Sequence, residues 1–194
     1  MYFVLFSALT YELINRPFGN VTNLKIAFDD KIPFIKELII IYHTFMPMIA
    51  IIGYLLMKEN KDIYFRYVAA LFLAQISAYV IYYNFQTVVP RYDVSLLGDD
   101  IFSKIVRLTY SVDNNYAGAP SMHVCNSMLA AYYIYRSSIK NKVKWPIILY
   151  MTLVAATTVP VKQHVILDVP TGMLHAFVWI WLTSLIFKKR ELPA

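Results

Sequence analysis

Cysteine is almost missing from this chain: Cys125 stands alone. No intramolecular disulfide is therefore available, and the thiol is expected to be a small buried apolar residue. Charge is scarce as well, at 15% of residues, where a soluble domain carries about 25%. That shortage argues against a globule surrounded by water. No internal repeat or low-complexity tract breaks the chain. Residues 1–15 lack a basic front and a small-residue cleavage site, so no cleavable signal peptide is expected. The net charge of +6 comes without any RNA or DNA recognition motif, and nucleic acid is not an expected partner.

What is abundant is apolar surface. Hydrophobic residues make up 59% of 194 positions. A chain of this length forms one domain, taken as 1–194, and cannot hold two cores. The excess is best explained by surface facing lipid. The 16 Tyr, 12 Phe and 3 Trp residues fit the same reading, since amphipathic rings collect at the headgroup level.

The runs follow in order. Residues 38–57 carry no charge and are long enough to cross a bilayer, with a kink expected at Pro47. Residues 67–85, 121–135, 145–161 and 171–187 give four more spans, the last three short. Residues 1–14 form a brief apolar stretch, either a first span or an interfacial helix. The expected fold class is all-α, a polytopic membrane protein with about six transmembrane helices in one bundle. Two long connections remain, 16–36 and 86–120. Within the second, Ile101, Phe102, Ile105, Val106 and Leu108 recur at helical spacing, which predicts an amphipathic helix lying on the membrane.

Basic residues set the orientation. One group of connections holds Lys58, Lys61, Arg66, Arg136, Lys140, Lys142, Lys144, Lys188, Lys189 and Arg190. The other holds Arg16, Lys25, Lys31, Lys36, Arg91, Lys104, Arg107 and Lys162. The first is richer and lies in short loops, so it is expected on the cytoplasmic side.

Two histidine segments fall on the opposite side: Ala119-Pro120-Ser121-Met122-His123-Val124, and Lys162-Gln163-His164-Val165-Ile166-Leu167-Asp168. Ionisable groups at membrane depth are costly and mark function. Pro120 and Ser121 signal a helix start. Pro160 interrupts the preceding span, so the next helix is expected to begin near residues 162–164. His164 and Asp168 then lie one turn apart on one face. A carboxylate accepting from one ring nitrogen leaves the other free as a nucleophile. His123 can serve as acid and base, and Arg91 and Lys162 can neutralise phosphoryl oxygens.

These residues resemble a known family. Pro120-Ser121-Met122-His123, and then His164 with Asp168 after three intervening residues, are similar to the second and third motifs of the type 2 phosphatidic acid phosphatase superfamily. Thr87-Val88-Val89-Pro90-Arg91 resembles the first. The runs Tyr110-Ser111-Val112-Asp113, Lys162-Gln163-His164 and Asp30-Lys31-Ile32-Pro33-Phe34 look closest to the branch containing inositol-phosphorylceramide synthase-like proteins. The resemblance extends from about residue 29 to residue 172. It implies His164 as a nucleophile forming a phosphohistidine, Asp168 as its orienting partner, and His123 as the acid and base. It implies Ser121, Arg91 and Lys162 as phosphate ligands, with no metal and no cofactor. Two cations of the family pattern are missing. Asn84 stands where Lys is usual, and Thr157 and Thr158 stand where Ser-Arg is usual; Tyr92 also replaces a Pro.

Duller readings stand beside these. His43 and His175 read as satisfied interior residues, with His175 also a possible substrate contact. Arg91 and Lys162 could be interfacial anchors, Ser121 a plain helix cap, and Asp113 either a turn residue or a substrate contact. The expected function is a lipid phosphate phosphatase acting on a membrane lipid, in an integral membrane protein, with the plasma membrane expected and the site facing the non-cytoplasmic side. A phosphotransferase using an alcohol in place of water is the alternative, and a non-enzymatic membrane scaffold is the third class.

Overall fold

A computed structural model of the chain describes residues 10–187, and they are mostly helical. A helix is already under way over 10–14; the rest of the expected 1–14 span lies outside the described residues, as do Lys188, Lys189 and Arg190. Seven helices follow: α1 (Ile39–His43), α2 (Phe45–Glu59), α3 (Lys61–Asn84), α4 (Ile101–Val112), α5 (Met122–Arg136), α6 (Asn141–Thr157) and α7 (Asp168–Ile186). Two short strands, β1 (Val21–Asn23) and β2 (Gln86–Val88), pair in parallel with Val21 opposite Gln86. They lie inside the two long connections 16–36 and 86–120, and three-residue strands leave no detectable alternation.

Each helix boundary has a local cause. The break between α1 and α2 falls at Thr44, whose hydroxyl bonds the Ile41 carbonyl at 2.6 Å. Pro47 sits in the first turn of α2, where its missing N–H costs nothing, so the expected kink appears just ahead of it. α3 starts earlier than expected because Asn60 caps it, accepting from the amides of Asp62 and Ile63. Ser121 caps α5 in the same way through Val124. α6 starts at Asn141, four residues before the expected start, and stops at Thr157, short of Pro160, which cannot continue a helix. α7 then begins at Asp168 and not near 162–164; the intervening residues form turns.

α5 is the hub. It packs against α2, α3, α6 and α7, and its Cys125, Leu129, Ala130 and Ile134 are fully buried in the main core with Ile52, Leu56 and Ala70. Polar ties cross the bundle. Tyr133 Oη meets Thr183 Oγ1 at 2.9 Å, and Trp179 Nε1 donates to Ser77 Oγ at 2.8 Å. α5 and α7 touch through backbone. The Ser121 amide donates to the Asp168 carbonyl at 3.3 Å, and a Cβ on Gly172 would stand 2.5 Å from the Ser121 carbonyl oxygen.

Three helical stretches are long and apolar enough to cross a membrane: Lys36–Glu59, Lys61–Asn84 and Asp168–Ile186. α5 and α6, with 15 and 17 residues, fall below the roughly 20 that a bilayer core requires. The described residues thus give three such helices where six spans were expected. α4 forms as anticipated but spends its apolar face differently. Val106 is buried with Ile39, Tyr42 and Val161, and Phe102 and Ile105 pack beside it. Only Ile101, Leu108 and Val112 remain as an exposed apolar edge.

The turns 59–61 and 137–140 and the end of α7 gather at one end of the bundle. There the Ser138 amide donates to Glu59 and Arg66 donates to the Phe187 carbonyl. Loops 16–36, 86–120 and 158–167 gather at the other. The described members of the two basic groups of the sequence are thereby separated. Gly172→Ala should destabilise the protein by about 1–3 kcal/mol, because the new methyl meets backbone and not a movable side chain. Thermal unfolding in detergent measures this, and an unchanged midpoint would contradict the close α5–α7 approach.

Candidate active site

Backbone hydrogen bonding shapes the loop ahead of α7. Lys162 adopts φ 55°, the left-handed region that non-glycine residues seldom enter. The chain therefore folds back, and the amides of Gln163 and His164 both reach the Thr158 carbonyl, at 3.0 and 3.1 Å. Five hydrogen bonds from outside hold this turn. Lys162 Nζ donates to the carbonyls of Asp29 and Ile32, at 3.0 and 2.7 Å. The Ile166 amide donates to Asp29 Oδ1 at 2.8 Å. Tyr110 Oη donates to the Val161 carbonyl at 2.8 Å. The Ile35 amide donates to the Pro160 carbonyl at 3.0 Å.

His164 is delivered by that turn onto Asp168, with Nδ1 at 3.0 Å from Oδ2. The pair is not on a shared helix face: Asp168 is the first residue of α7 and His164 precedes the helix. The same oxygen accepts from the Val165 amide at 3.0 Å, and Asp168 is fully buried. Its carboxylate sits in the first turn of α7, where the helix dipole favours negative charge. A Cβ on Gly118 would come within 3.1 Å of Asp168 Oδ2, so only glycine leaves this carboxylate unobstructed from that side.

His123 comes from the first turn of α5. Its ring stacks on Tyr42 at 4.5 Å and packs against Phe45 at 4.4 Å between centroids. It meets the His164 ring at 5.8 Å, 64° from parallel. Both imidazoles line one cavity of about 380 Å³ with Asp113, Asn114, Asn115, Asn126 and Gln163. The apolar side chains of Met46, Ile49, Leu71 and Met122 also line it.

The other expected site residues divide. Asp113 lines the cavity, held by Tyr11 Oη and Asn15 Nδ2, each at 2.9 Å, and by Arg91 at 3.5 Å. Burial pushes its carboxyl above the usual range, opposed by Arg91 and the Tyr11 hydroxyl. Arg91 stands behind the wall. Its guanidinium donates to the carbonyls of Tyr110, Asp113 and Asn114 and to Gln163 Oε1 at 3.0 Å, and it lies over the Tyr110 ring. Lys162 is committed to the two carbonyls of the 29–32 segment. Neither cation is among the cavity-lining residues. Ser121 is fully buried and caps α5. His175 bonds the Ala74 carbonyl at 2.9 Å and Ser77 at 3.1 Å, away from the cavity lining. His43 bonds Thr109 at 2.8 Å.

Several participants were not singled out from sequence. Tyr42 and Phe45 sandwich His123 and look like any aromatic in a long apolar run. Asp29 is separated from Ile166 by most of the chain, with no local signal of the contact. Gln163 sits beside a noticed histidine and was read only as part of its motif. Asn126 did carry a signal: a polar residue three positions after His123 shares its helical face.

Among the described residues, no three His, Cys, Asp or Glu side chains converge in a way that could hold a metal ion. The family model of the PAP2 superfamily matches residues 63–192. The chain belongs to the PAP2 superfamily. No curated protein and no solved structure matches it. Members of this superfamily are generally phosphatases acting on phosphate esters, and the three long apolar helices accord with a membrane protein.

The Asp113 environment gives a pH test. A folded-state pKa raised above the ordinary value of about 3.9 contributes stability below that value, and this is lost as pH rises through the folded pKa. Asp113→Asn removes the loss. The unfolding midpoint of the variant minus that of the parent should therefore increase from about pH 4 upward. A difference that shrinks with pH would contradict a burial-dominated carboxyl.

Proposed function

We propose that this protein is a lipid phosphate phosphatase that cleaves a phosphomonoester or pyrophosphate of a membrane lipid through a phosphohistidine, without a metal. The observation that carries the reading is the His164–Asp168 contact facing His123 across one cavity. Nδ1–H of His164 donates to Asp168, which leaves the Nε2 lone pair to attack phosphorus. The P–O ester bond breaks as the N–P bond forms, and His123 in its protonated form gives its proton to the departing alkoxide. A bound phosphate favours that protonated form, since an opposite charge within about 4–6 Å stabilises it. In the second half, His123 takes a proton from water, the water oxygen attacks phosphorus, and the N–P electron pair returns to His164. An alcohol in place of water gives a phosphotransferase with the same first half.

Arg91 acts here as a positioning residue. Through Gln163 and the carbonyls of Asp113 and Asn114 it fixes one cavity wall, and its charge lies behind the anion. Lys162 likewise holds the His164 turn. Ser121 sets the start of α5 and so the placement of His123. The membrane setting is supported by the apolar helices. The site faces the non-cytoplasmic side of a plasma membrane in this proposal; that orientation draws on Lys58, Lys61, Lys140, Lys142 and Lys144, which lie at or beside short turns at the bundle end away from the histidines.

Detergent-purified protein with chelator should release phosphate from phosphatidic acid, and His164→Ala should abolish both release and any acid-labile phosphoprotein. Normal turnover by that variant, or strict dependence on a divalent ion, would overturn the mechanism. Asp168→Asn and His123→Ala should each slow turnover by about 10²–10⁴-fold while the protein remains folded. Labelled lipid phosphate offered with inositol or diacylglycerol distinguishes a new phosphodiester from free phosphate.

A further inference from the structure

Gln163 stands next to His164 in the chain, lines the same cavity and is 6% exposed. One end of its side-chain amide is taken. Oε1 accepts from Arg91 Nη2 at 3.0 Å. A guanidinium only donates, so this contact fixes which end of the amide is oxygen and which is nitrogen. Nε2, with two N–H groups, is the other end, and it is buried without a hydrogen-bond partner among the described residues. The carboxylate of the cavity does not supply one: Asp113 is held by Tyr11, Asn15 and Arg91. Buried donors in native proteins are nearly always paired, and an unmade bond costs more than an ordinary one contributes. The backbone here is pinned as well, with the amides of Gln163 and His164 both on the Thr158 carbonyl.

An unpaired donor beside two imidazoles calls for an acceptor that arrives with the ligand, and a phosphoryl group brings anionic oxygens. We infer that Gln163 Nε2 donates to a non-bridging phosphoryl oxygen while His164 attacks phosphorus, which makes an uncharged side chain a catalytic residue. The inference rests on the proposed phosphatase reading and deepens it. Arg91 is what makes the amide effective. A cation held on Oε1 draws electron density from the amide, and chained hydrogen bonds polarise one another in a low-dielectric interior. Nε2–H becomes a stronger donor, and it is fixed in place before substrate arrives, the condition under which developing charge is stabilised best. The guanidinium stays outside the cavity lining, so its charge reaches the phosphoryl oxygens through the amide.

Orthovanadate is the probe, because it takes the five-coordinate geometry of phosphoryl transfer, and transition-state analogues report the interactions made there. It should inhibit phosphate release from phosphatidic acid by the parent protein and raise its unfolding midpoint. Gln163→Met keeps the length of the side chain and removes the donor. It should weaken orthovanadate inhibition and lower kcat, each by about 10–100-fold, the size of one hydrogen bond to a charged group. Gln163→Glu still offers Arg91 an acceptor but, ionised, has no donor. It should lose at least as much, and it keeps the Arg91 contact should the Met variant fail to fold. Parental kcat and parental orthovanadate inhibition in either folded variant would overturn the role. A rise in KM with kcat kept would overturn it too, since the contact would then not be one made in the transition state. The two readings fail separately. A parent that turns over no lipid phosphate, yet shows an orthovanadate thermal shift that both variants lose, removes the phosphatase reading and keeps the Gln163 contact. Turnover that both variants share with the parent removes the contact and keeps the enzyme.

Discussion

Everything at the loop end of the bundle is arranged around one carboxylate closed off from solvent. Asp168 is fully buried, and its Oδ2 accepts from both the His164 ring and the Val165 amide. A buried charge is tolerable only when it is hydrogen-bonded, so the 158–167 turn must close on it. Closure in turn draws on distant parts of the chain. Asp29 supplies an acceptor for Ile166, Lys162 reaches back to the 29–32 carbonyls, and Tyr110 ties Val161 to α4. Asp168 also offers its carbonyl to Ser121, which couples the same residue to the start of α5 and to His123. Both histidines are thus referenced to one point.

The positive charge has an unusual distribution. Arg91 and Lys162, the two cations nearest the histidines in the motif pattern, are spent largely on backbone carbonyls, Arg91 also on Gln163 and Asp113. Carbonyl oxygens hold a guanidinium well, because its five donors form a fixed fork. Such a cation organises a wall. It does not present a bare charge to solvent. Gln163, Asn114 and Asn115 line the cavity in front of these cations, together with Asp113.

Much of this was legible in the sequence, and the misses share a cause. Ser121 caps α5 as its residue type predicts, whereas Pro120 stands one residue before the cap and not in the first helical turn; the Ile101–Leu108 periodicity became α4. The His164–Asp168 pairing was correct in spacing and wrong in setting. The rule of four residues assumes a helix, whereas here a left-handed Lys162 and a turn bring the groups together. Span ends drifted by several residues because Asn60 capping and Pro160 act locally, while hydropathy averages over a window. The strands, the Asp29 brace and the aromatic sandwich around His123 depend on contacts between remote segments. No local pattern records those.

One wall of the cavity belongs to the outside of the bundle. Met46 lines the chamber and is 64% exposed on α2. An amphiphile would then arrive sideways from the surrounding hydrocarbon instead of through the aqueous phase. Encounter becomes a two-dimensional event, governed by the mole fraction of the amphiphile in its leaflet. Dilution with inert lipid would slow such an encounter at constant bulk concentration, and added buffer volume would leave it unchanged.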